Sequence, residues 1–555
     1  MASFLETLAV SSPMKSLIQD KVVLIIDDMP DARQTLRNML SVCDLKKIKE
    51  AGNATEAAKV LENHKIDIVL SDYNLGPGRD GQQLYEELME RKLVNESTLY
   101  LMITGERSYE SVVRAAELAP DDYVLKPFTP AIIYSRIERA FIRKSSLLPV
   151  IEHMLASRWG EAITECDKQL GGDPQPKYPL ELFRMKGECL LELNRLDEAQ
   201  SLYEQVLASY KLAWADYGIA RTARKRGKLL LAAAKLQHVI EDAPYFIKAR
   251  DELAEVYEEL GDLEKAEQVL EKANEVSPNN ARRQKKLAKA AFLTGKLALA
   301  EKVLNNLIEN CRFSISHDPS DYSLLSKAMS LQGKSEAALE KLNDAVKFFG
   351  ETSQTKVTKL AGQANLYFGA NQKEKSLAAF SKARDTYLQE EPELAEQVLM
   401  DLAEISVRHG DVEFCNRLLE KLPKGDAFSG LAQAKMIMAM FERAGRSDLA
   451  EGLVSAGKKE VLALNDQAVL SARDKNYDEA LPIIRKAAQA MPDDLKVLGN
   501  MVKVLMAMVR DRGRSDALNA EILEGMEMVG LISPDMEKEL RGIYEKLLQS
   551  IKPGA

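Results

Sequence analysis

The stretch Val69-Leu-Ser-Asp-Tyr-Asn-Leu-Gly-Pro-Gly-Arg-Asp-Gly81 decides how this chain is read, because it offers two chemistries at once. Gly76, Gly78 and Gly81 spell G-x-G-x-x-G, a loop type that cradles pyrophosphate, while Asp72 ends an apolar strand-like run just before them. A dinucleotide loop should follow the first strand directly and open onto a helix, with an acidic residue about 20 positions on. Here the glycines follow the third such run after a gap. The first run, Val22-Val-Leu-Ile-Ile26, ends in Asp27-Asp28, which would repel a pyrophosphate. A P-loop fails too, since Gln82-Gln83 stand where Lys and Ser/Thr are needed. The glycines are turn residues, and the chemistry moves to the aspartate.

Around this stretch, continuous apolar runs alternate with helical spacing. A helix with Arg33, Leu36, Arg37 and Leu40 follows the first strand, with Pro30 in its first turn. Further strands are expected over Ile48–Ala51, Ile66–Ser71, Thr98–Ile103 and Tyr123–Leu125, and helices over Ala54–Asn63, Gly81–Arg91, Ser108–Leu118 and Pro130 to about Lys144. Five β/α units predict a doubly wound, flavodoxin-like parallel sheet, whose site lies at the carboxyl ends of the strands where the winding reverses. That order makes the first and third strands neighbours and brings Asp27, Asp28 and Asp72 into one crevice. Carboxylates that close require a cation, and Mg²⁺, or Mn²⁺ in its place, suits an all-oxygen site. Thr104 and Lys126 end the next two strands. A hydroxyl and an ammonium there suit the oxygens of a phosphoryl group carried by one carboxylate.

Residues 20–145 resemble the receiver domain of two-component response regulators. The resemblance rests on Asp27-Asp28, on Leu70-Ser-Asp72, on Met102-Ile-Thr-Gly105, on Lys126-Pro127, and on Ala51-Gly52 and Gly81, in the family's order. It implies that Asp72 takes phosphate from a histidine kinase, that Asp27, Asp28, Asp72 and the carbonyl of Asn74 hold Mg²⁺, and that Thr104 and Lys126 bind the phosphoryl oxygens. Tyr123 would be the switch residue that turns inward, and the Lys126-Pro127 bond would be cis. Gly76 departs from the pattern where methionine is common, and Gly105 stands where alanine is frequent.

After Lys144-Ser-Ser-Leu-Leu-Pro149 the pattern becomes helical throughout. Gly227, Gly261 and Gly295 fall at steps of 34, as do Ala232, Ala266 and Ala300; Pro244 and Pro278 share the step. This period, with Tyr257 between the small residues Ala254 and Ala266, resembles the tetratricopeptide repeat (TPR). About ten helical hairpins are expected over 146–555, with the helices after Leu495 as a cap, stacked into an all-α solenoid with a concave groove. Residues 1–19 form an N-terminal tail. The family pattern places Trp214, Tyr217, Arg221, Arg224 and Lys225 on the groove, then Asp251, Glu255 and Glu258, then Arg282, Lys285 and Lys289. Charge sign thus alternates between repeats, which suits an acidic or mixed-charge partner segment. A homodimer is compatible with the same surface.

The totals exclude other classes. The 555 residues exceed one hydrophobic core, and a net charge of -9 argues against general attraction to nucleic acid or anionic membrane. Five cysteines, never as C-x-x-C, and five scattered histidines give neither a disulfide framework nor a zinc site. Met1–Val10 lacks a signal-peptide pattern and no 18-residue apolar run occurs, so neither secretion nor membrane insertion is expected. Leu170-Gly-Gly-Asp173 is similar to a diguanylate cyclase loop but lacks its following acidic and aromatic residues. The expectation is a bacterial, cytoplasmic, phosphorylation-controlled adaptor, with no enzymatic role beyond its own phosphorylation and dephosphorylation. Two alternatives stay open: an inhibitor, sequestering regulator or phosphate sink of its sensor kinase or of another response regulator, and a nucleic-acid-associated transcriptional regulator. Nucleic acid is the less expected partner.

Overall fold

The structure, a computed structural model, describes residues 18–76, 80–94, 97–105, 121–172, 176–278, 280–311, 314, 316–422 and 437–550. The chain divides into two compact units. The first comprises Met1–Leu202, Glu275–Ala281 and Glu309–His317; the second comprises Tyr203–Asn274, Arg282–Ile308 and Asp318–Ala555.

Five strands open the first unit: β1 (Val22–Ile26), β2 (Lys47–Ala51), β3 (Ile68–Asp72), β4 (Leu99–Thr104) and β5 (Asp122–Leu125). They form one parallel sheet in the order β2-β1-β3-β4-β5, with Ile26 opposite Ser71 and Asp72 opposite Ile103. β1 is apolar along its whole length, and β3 and β4 are largely apolar up to their polar carboxyl ends, because both faces of the sheet are covered. One face packs Leu24, Ile26, Val69, Tyr100 and Met102 against α2 (Ala54–Asn63) and α3 (Gly81–Glu90). The other packs Ile25, Leu70, Leu101 and Ile103 against α1 (Pro30–Val42) and α4 (Pro130–Leu155). The helix predicted over Ser108–Leu118 lies outside the described residues, as does Gly78.

Helix α4 runs far beyond the predicted end near Lys144. The stretch Ser145–Pro149 is helical, with Pro149 inside the helix. Pro149 removes one backbone donor but leaves the helix intact, and Leu147 and Val150 are buried beside it. α5 (Trp159–Leu170), α6 (Pro179–Glu192) and α7 (Leu196–Ser209) follow.

The remaining described residues include the helices α8 (Ala213–Lys225), α9 (Leu229–Asp242), α10 (Ile247–Leu260), α11 (Leu263–Val276), α12 (Ala281–Leu293), α13 (Leu297–Asn310), α14 (Pro319–Leu331), α15 (Ser335–Phe349), α16 (Ser353–Gly369), α17 (Lys373–Glu390), α18 (Glu396–Arg408), α19 (Val412–Glu420), α20 (Ser447–Arg473), α21 (Tyr477–Ala490), α22 (Leu495–Arg512), α23 (Asp516–Ile532) and α24 (Pro534–Ser550). A residue with positive φ sits in the tight turn of hairpin after hairpin: Ser157, Asn194, Gly227, Gly261, Gly295, Gly333, Asn371, Gly410, Gly445 and Lys475. Glycine or asparagine fills eight of these ten positions because the left-handed conformation strains a Cβ least there. Within the second unit, Val502, Leu505, Met526 and Val529 of the last helices share one apolar cluster with Leu231, Leu236 and Leu253, and Lys228 pairs with Glu524. The helices after Leu495, expected only as a cap, therefore return to α9. Among the described residues no helix is long and apolar enough to cross a membrane.

Candidate functional site: a three-carboxylate pocket beside a lysine

Asp27 follows β1, Asp72 ends β3, Thr104 ends β4 and Lys126 follows β5, so parallel neighbours deliver all four to one edge of the sheet. Carboxylate oxygens of Asp27, Asp28 and Asp72 lie within 4.8 Å of one another. Asp27 is 1% exposed, Asp28 is exposed and Asp72 is intermediate. Lys126 Nζ stands 2.9 Å from Asp72 Oδ2 and 3.2 Å from Asp27 Oδ2. The backbone completes the pocket, with Met29 N donating to Asp27 Oδ1 and Tyr73 N to Asp72 Oδ1, both at 2.9 Å.

The electrostatics follow from this crowding. Burial pushes the Asp72 carboxyl above its ordinary value, beyond what its bond to Lys126 pulls back. For Lys126, burial opposes the charge, yet the bond to Asp72 and the charges of Asp72 and Asp27 prevail and hold the ammonium protonated to higher pH. Among the described residues Lys126 alone forms salt bridges to these three carboxylates, an excess of negative charge that suits a divalent, oxygen-seeking ion.

Two glycines make room. Gly76 has φ +73°, and a Cβ there would stand 3.0 Å from Asp28 Oδ2. At Gly81 a Cβ would lie 2.3 Å from the Asp72 carbonyl oxygen, and Gly81 N donates to Tyr73 O at 2.7 Å. Neither glycine forms a phosphate cradle; both let backbone approach the acceptor loop. The Lys126-Pro127 peptide is cis.

The remaining predicted residues lie as follows. Thr104 is 4% exposed. Asn74 is exposed in the loop after β3. Tyr123 packs against the cluster containing Tyr85 and Tyr100; its buried hydroxyl has no hydrogen-bond partner among the described residues, and burial raises its phenol well above the ordinary value.

In the second unit the predicted groove residues are largely engaged with the chain itself. Trp214 meets Tyr203 edge to face, with ring centroids 6.3 Å apart, and the Tyr217 hydroxyl donates to Glu252. Arg221 lies over the Tyr217 ring. Arg224 pairs with Glu252, Glu255 and Glu259, Lys285 with Asp318 and Asp321, and Lys289 with Glu396; Arg282 is exposed. The alternation of charge sign is thus spent largely on ion pairs between repeats. Sequence reasoning missed a buried network: Lys327 meets Asp401 at 2.6 Å and Glu404 at 2.7 Å, and Arg408 and Arg443 also face Glu404. The available signal was two acidic residues, Asp401 and Glu404, set among the apolar residues of Val398–Val407.

Family models match a part of each half. Residues 23–138 match the model of the response regulator receiver domain, and residues 184–246 and 223–289 match tetratricopeptide repeat models. The chain is 29% identical over 121 residues to the chemotaxis protein CheY of Pseudomonas aeruginosa, covering 22% of this chain and 96% of that protein. Chemotaxis protein CheY-3 of Vibrio cholerae gives 29% over 121 residues, with 22% and 92% covered. Among solved structures, a tetratricopeptide repeat protein from Parabacteroides merdae is 17% identical at a TM-score of 0.29, covering 47% of this chain and 99% of its own. MamA is 17% identical at 0.26, with 31% and 95% covered. The chain is a response-regulator-type protein with a receiver domain and interaction repeats.

Proposed function

We propose that the receiver accepts a phosphoryl group on Asp72 from the phosphohistidine of a histidine kinase, and that this phosphate controls which protein or peptide the repeats hold. In the transfer a carboxylate oxygen of Asp72 attacks phosphorus, the P–N bond breaks, and the kinase imidazole leaves neutral by taking a proton. Asp27, Asp28, Asp72 and the Asn74 carbonyl would hold Mg²⁺ or Mn²⁺, which when bound neutralises charge on the phosphoryl oxygens. Lys126 holds the acceptor carboxylate from the other side, and Thr104 is the hydroxyl at hand for a phosphoryl oxygen. Tyr123, whose hydroxyl has no hydrogen-bond partner among the described residues, is the side chain that would answer a change at Thr104. No catalysis beyond the receiver's own phosphorylation and dephosphorylation is assigned. A reducing cytoplasm suits five free cysteines, four of them buried; burial holds the thiol of Cys166 up at about 12 and that of Cys415 up at about 11.

The observation that carries this reading is the Lys126 ammonium placed over both Asp72 and Asp27. Incubation with acetyl phosphate and Mg²⁺ should add one phosphoryl mass, absent in Asp72→Asn; a chain that stays unmodified with both acetyl phosphate and a competent kinase sinks the proposal.

A further inference from the structure

Within the second unit, α14, α16 and α18 are the first helices of three successive hairpins, and all three line one cavity. Each turns residues one helical turn apart toward it: Lys327 and Ser330 from α14, Asn365 and Gly369 from α16, Glu404 and Arg408 from α18. Arg443, in the helical residues 437–443, completes the wall. The cavity holds about 100 Å³. Pockets for whole small molecules run to roughly 300–1,000 Å³, so this one takes a group the size of a side chain. A Cβ added at Gly369 would meet nothing within 4 Å, so the missing side chain leaves that space clear.

The charges around the cavity do not cancel. Lys327, Arg408 and Arg443 face Asp401 and Glu404, which leaves one positive charge in surplus. Both carboxylates, each 1% exposed, are already answered by the chain. Asp401 Oδ1 accepts from Lys327 at 2.6 Å and from Gln397 at 2.9 Å, and its Oδ2 accepts from Ser323 at 2.9 Å. Glu404 Oε2 accepts from Lys327 at 2.7 Å, while its Oε1 lies 2.6 Å from Arg408 Nη2, an ion pair without hydrogen-bond alignment. Donors are left over. Arg408 Nε is buried with no hydrogen-bond partner among the described residues. Arg443 reaches Glu404 through Nε alone, at 3.4 Å, and its guanidinium lies 5.6 Å from the centre of the Phe292 ring. A buried donor without an acceptor is destabilising, and a guanidinium is a planar fork matched to a carboxylate.

We infer that this cavity is an anchor for the carboxylate of one acidic side chain on the polypeptide that the repeats hold, and that Arg443 grips it. The inference rests on the reading of the repeats as the part that holds a protein or peptide, and it names the chemistry that part selects. Arg224, Lys285 and Lys289 are engaged in ion pairs with the chain itself, so recognition of an acidic partner moves from their stretch of the groove to this cavity. A doubly charged phosphoryl group fits less well, because one surplus cation does not balance it beside Asp401 and Glu404.

Saturation-transfer NMR of the full-length protein tests it, with glutamate blocked as its N-acetyl α-amide as the probe and glutamine blocked in the same way as the control. The glutamate probe should bind, and the glutamine control about tenfold or more weakly, since a hydrogen bond to a charged group is lost. Arg443→Gln leaves Lys327 and Arg408 on Glu404, so it should melt near the wild type yet weaken the glutamate probe about ten- to a hundredfold. Arg443→Lys keeps the charge without the fork and should fall between the two. Absence of transfer to the glutamate probe, or equal binding of the two probes, overturns the inference. A folded Arg443→Gln that binds as the wild type does the same, and where that variant does not fold, wild-type affinity in Arg443→Lys overturns the grip by the fork. Inorganic phosphate that displaces the probe at lower concentration than acetate overturns the choice of a carboxylate. The mass shift at Asp72 with acetyl phosphate is a separate readout: a silent cavity beside a phosphorylated receiver overturns this inference alone, and a binding cavity beside an unmodified receiver leaves it standing while the proposed control by phosphate falls.

Discussion

Arg283, 2% exposed, grips Asp251 through two hydrogen bonds, Nε to Oδ1 and Nη2 to Oδ2, each 2.8 Å. The two residues are 32 positions apart, so the fork joins α10 to α12, the first helices of successive hairpins. Arg283 is therefore structural, while its neighbour Arg282 is exposed.

Removing the acid from this fork leaves a buried guanidinium short of its counter-charge. Asp251→Ala should lower unfolding stability by roughly 3 kcal/mol, within the usual cost of breaking a buried pair, reduced because Asp251 is partly exposed. Urea denaturation monitored by circular dichroism checks it.

Lys126 should matter to chemistry more than to folding. Its ammonium is part-exposed, so Lys126→Ala leaves the fold standing, but the phosphorylation rate with acetyl phosphate should fall about 10²-fold, the usual loss for one electrostatic donor. Asp72→Asn should abolish modification outright.

Glu404 carries a pH signature. Burial alone would raise its carboxyl, but the charges of Lys327, Arg408 and Arg443 overcome this and hold it below the ordinary range. A depressed folded value means the stabilisation is complete above the unfolded value of about 4.3 and is lost as pH falls through the folded one. Glu404→Gln should destabilise the repeats by about 3 kcal/mol at pH 7 and shrink the acid limb of the stability–pH curve. Chemical denaturation at stepped pH reads both; an unchanged acid limb would contradict the assignment.

Gly218 tests packing against propensity. A Cβ there would stand 2.4 Å from Tyr203 Cζ, and Tyr203 is 1% exposed, so the ring has nowhere to go. Overpacking costs about 1–3 kcal/mol against a helix-propensity gain of about 1; Gly218→Ala should thus lose stability. Gly542→Ala, with nothing within 4 Å of its added Cβ, should gain about 1 kcal/mol, and thermal melts of the pair separate the two effects.

The receiver half was legible because its signals are local. A buried strand must be apolar throughout, and the residues at its carboxyl end are then the pocket, so Asp27, Asp72, Thr104 and Lys126 could be placed from sequence. The strand over Val22–Ile26 and the helix over Ala54–Asn63 lie where expected. The sequence ends this helix near Lys144 with a short link after it, whereas packing of Leu147 and Val150 carries one continuous helix, α4, through Pro149. Repeat turns were legible for the same local reason: positive φ selects glycine or asparagine.

What the sequence determined alone was periodicity, backbone conformation at special positions, and which side chains end buried strands, all set within a few residues by sterics and hydrophobic spacing. What the tertiary structure decided was who faces whom across a repeat or further. Lys285 was as consistent with an open groove as with Asp318, and nothing local ties Gln83 to Asn310, 227 residues on. Charge partners and buried amides are fixed by distance in space, and the spacing of residues along the chain carries no such distance.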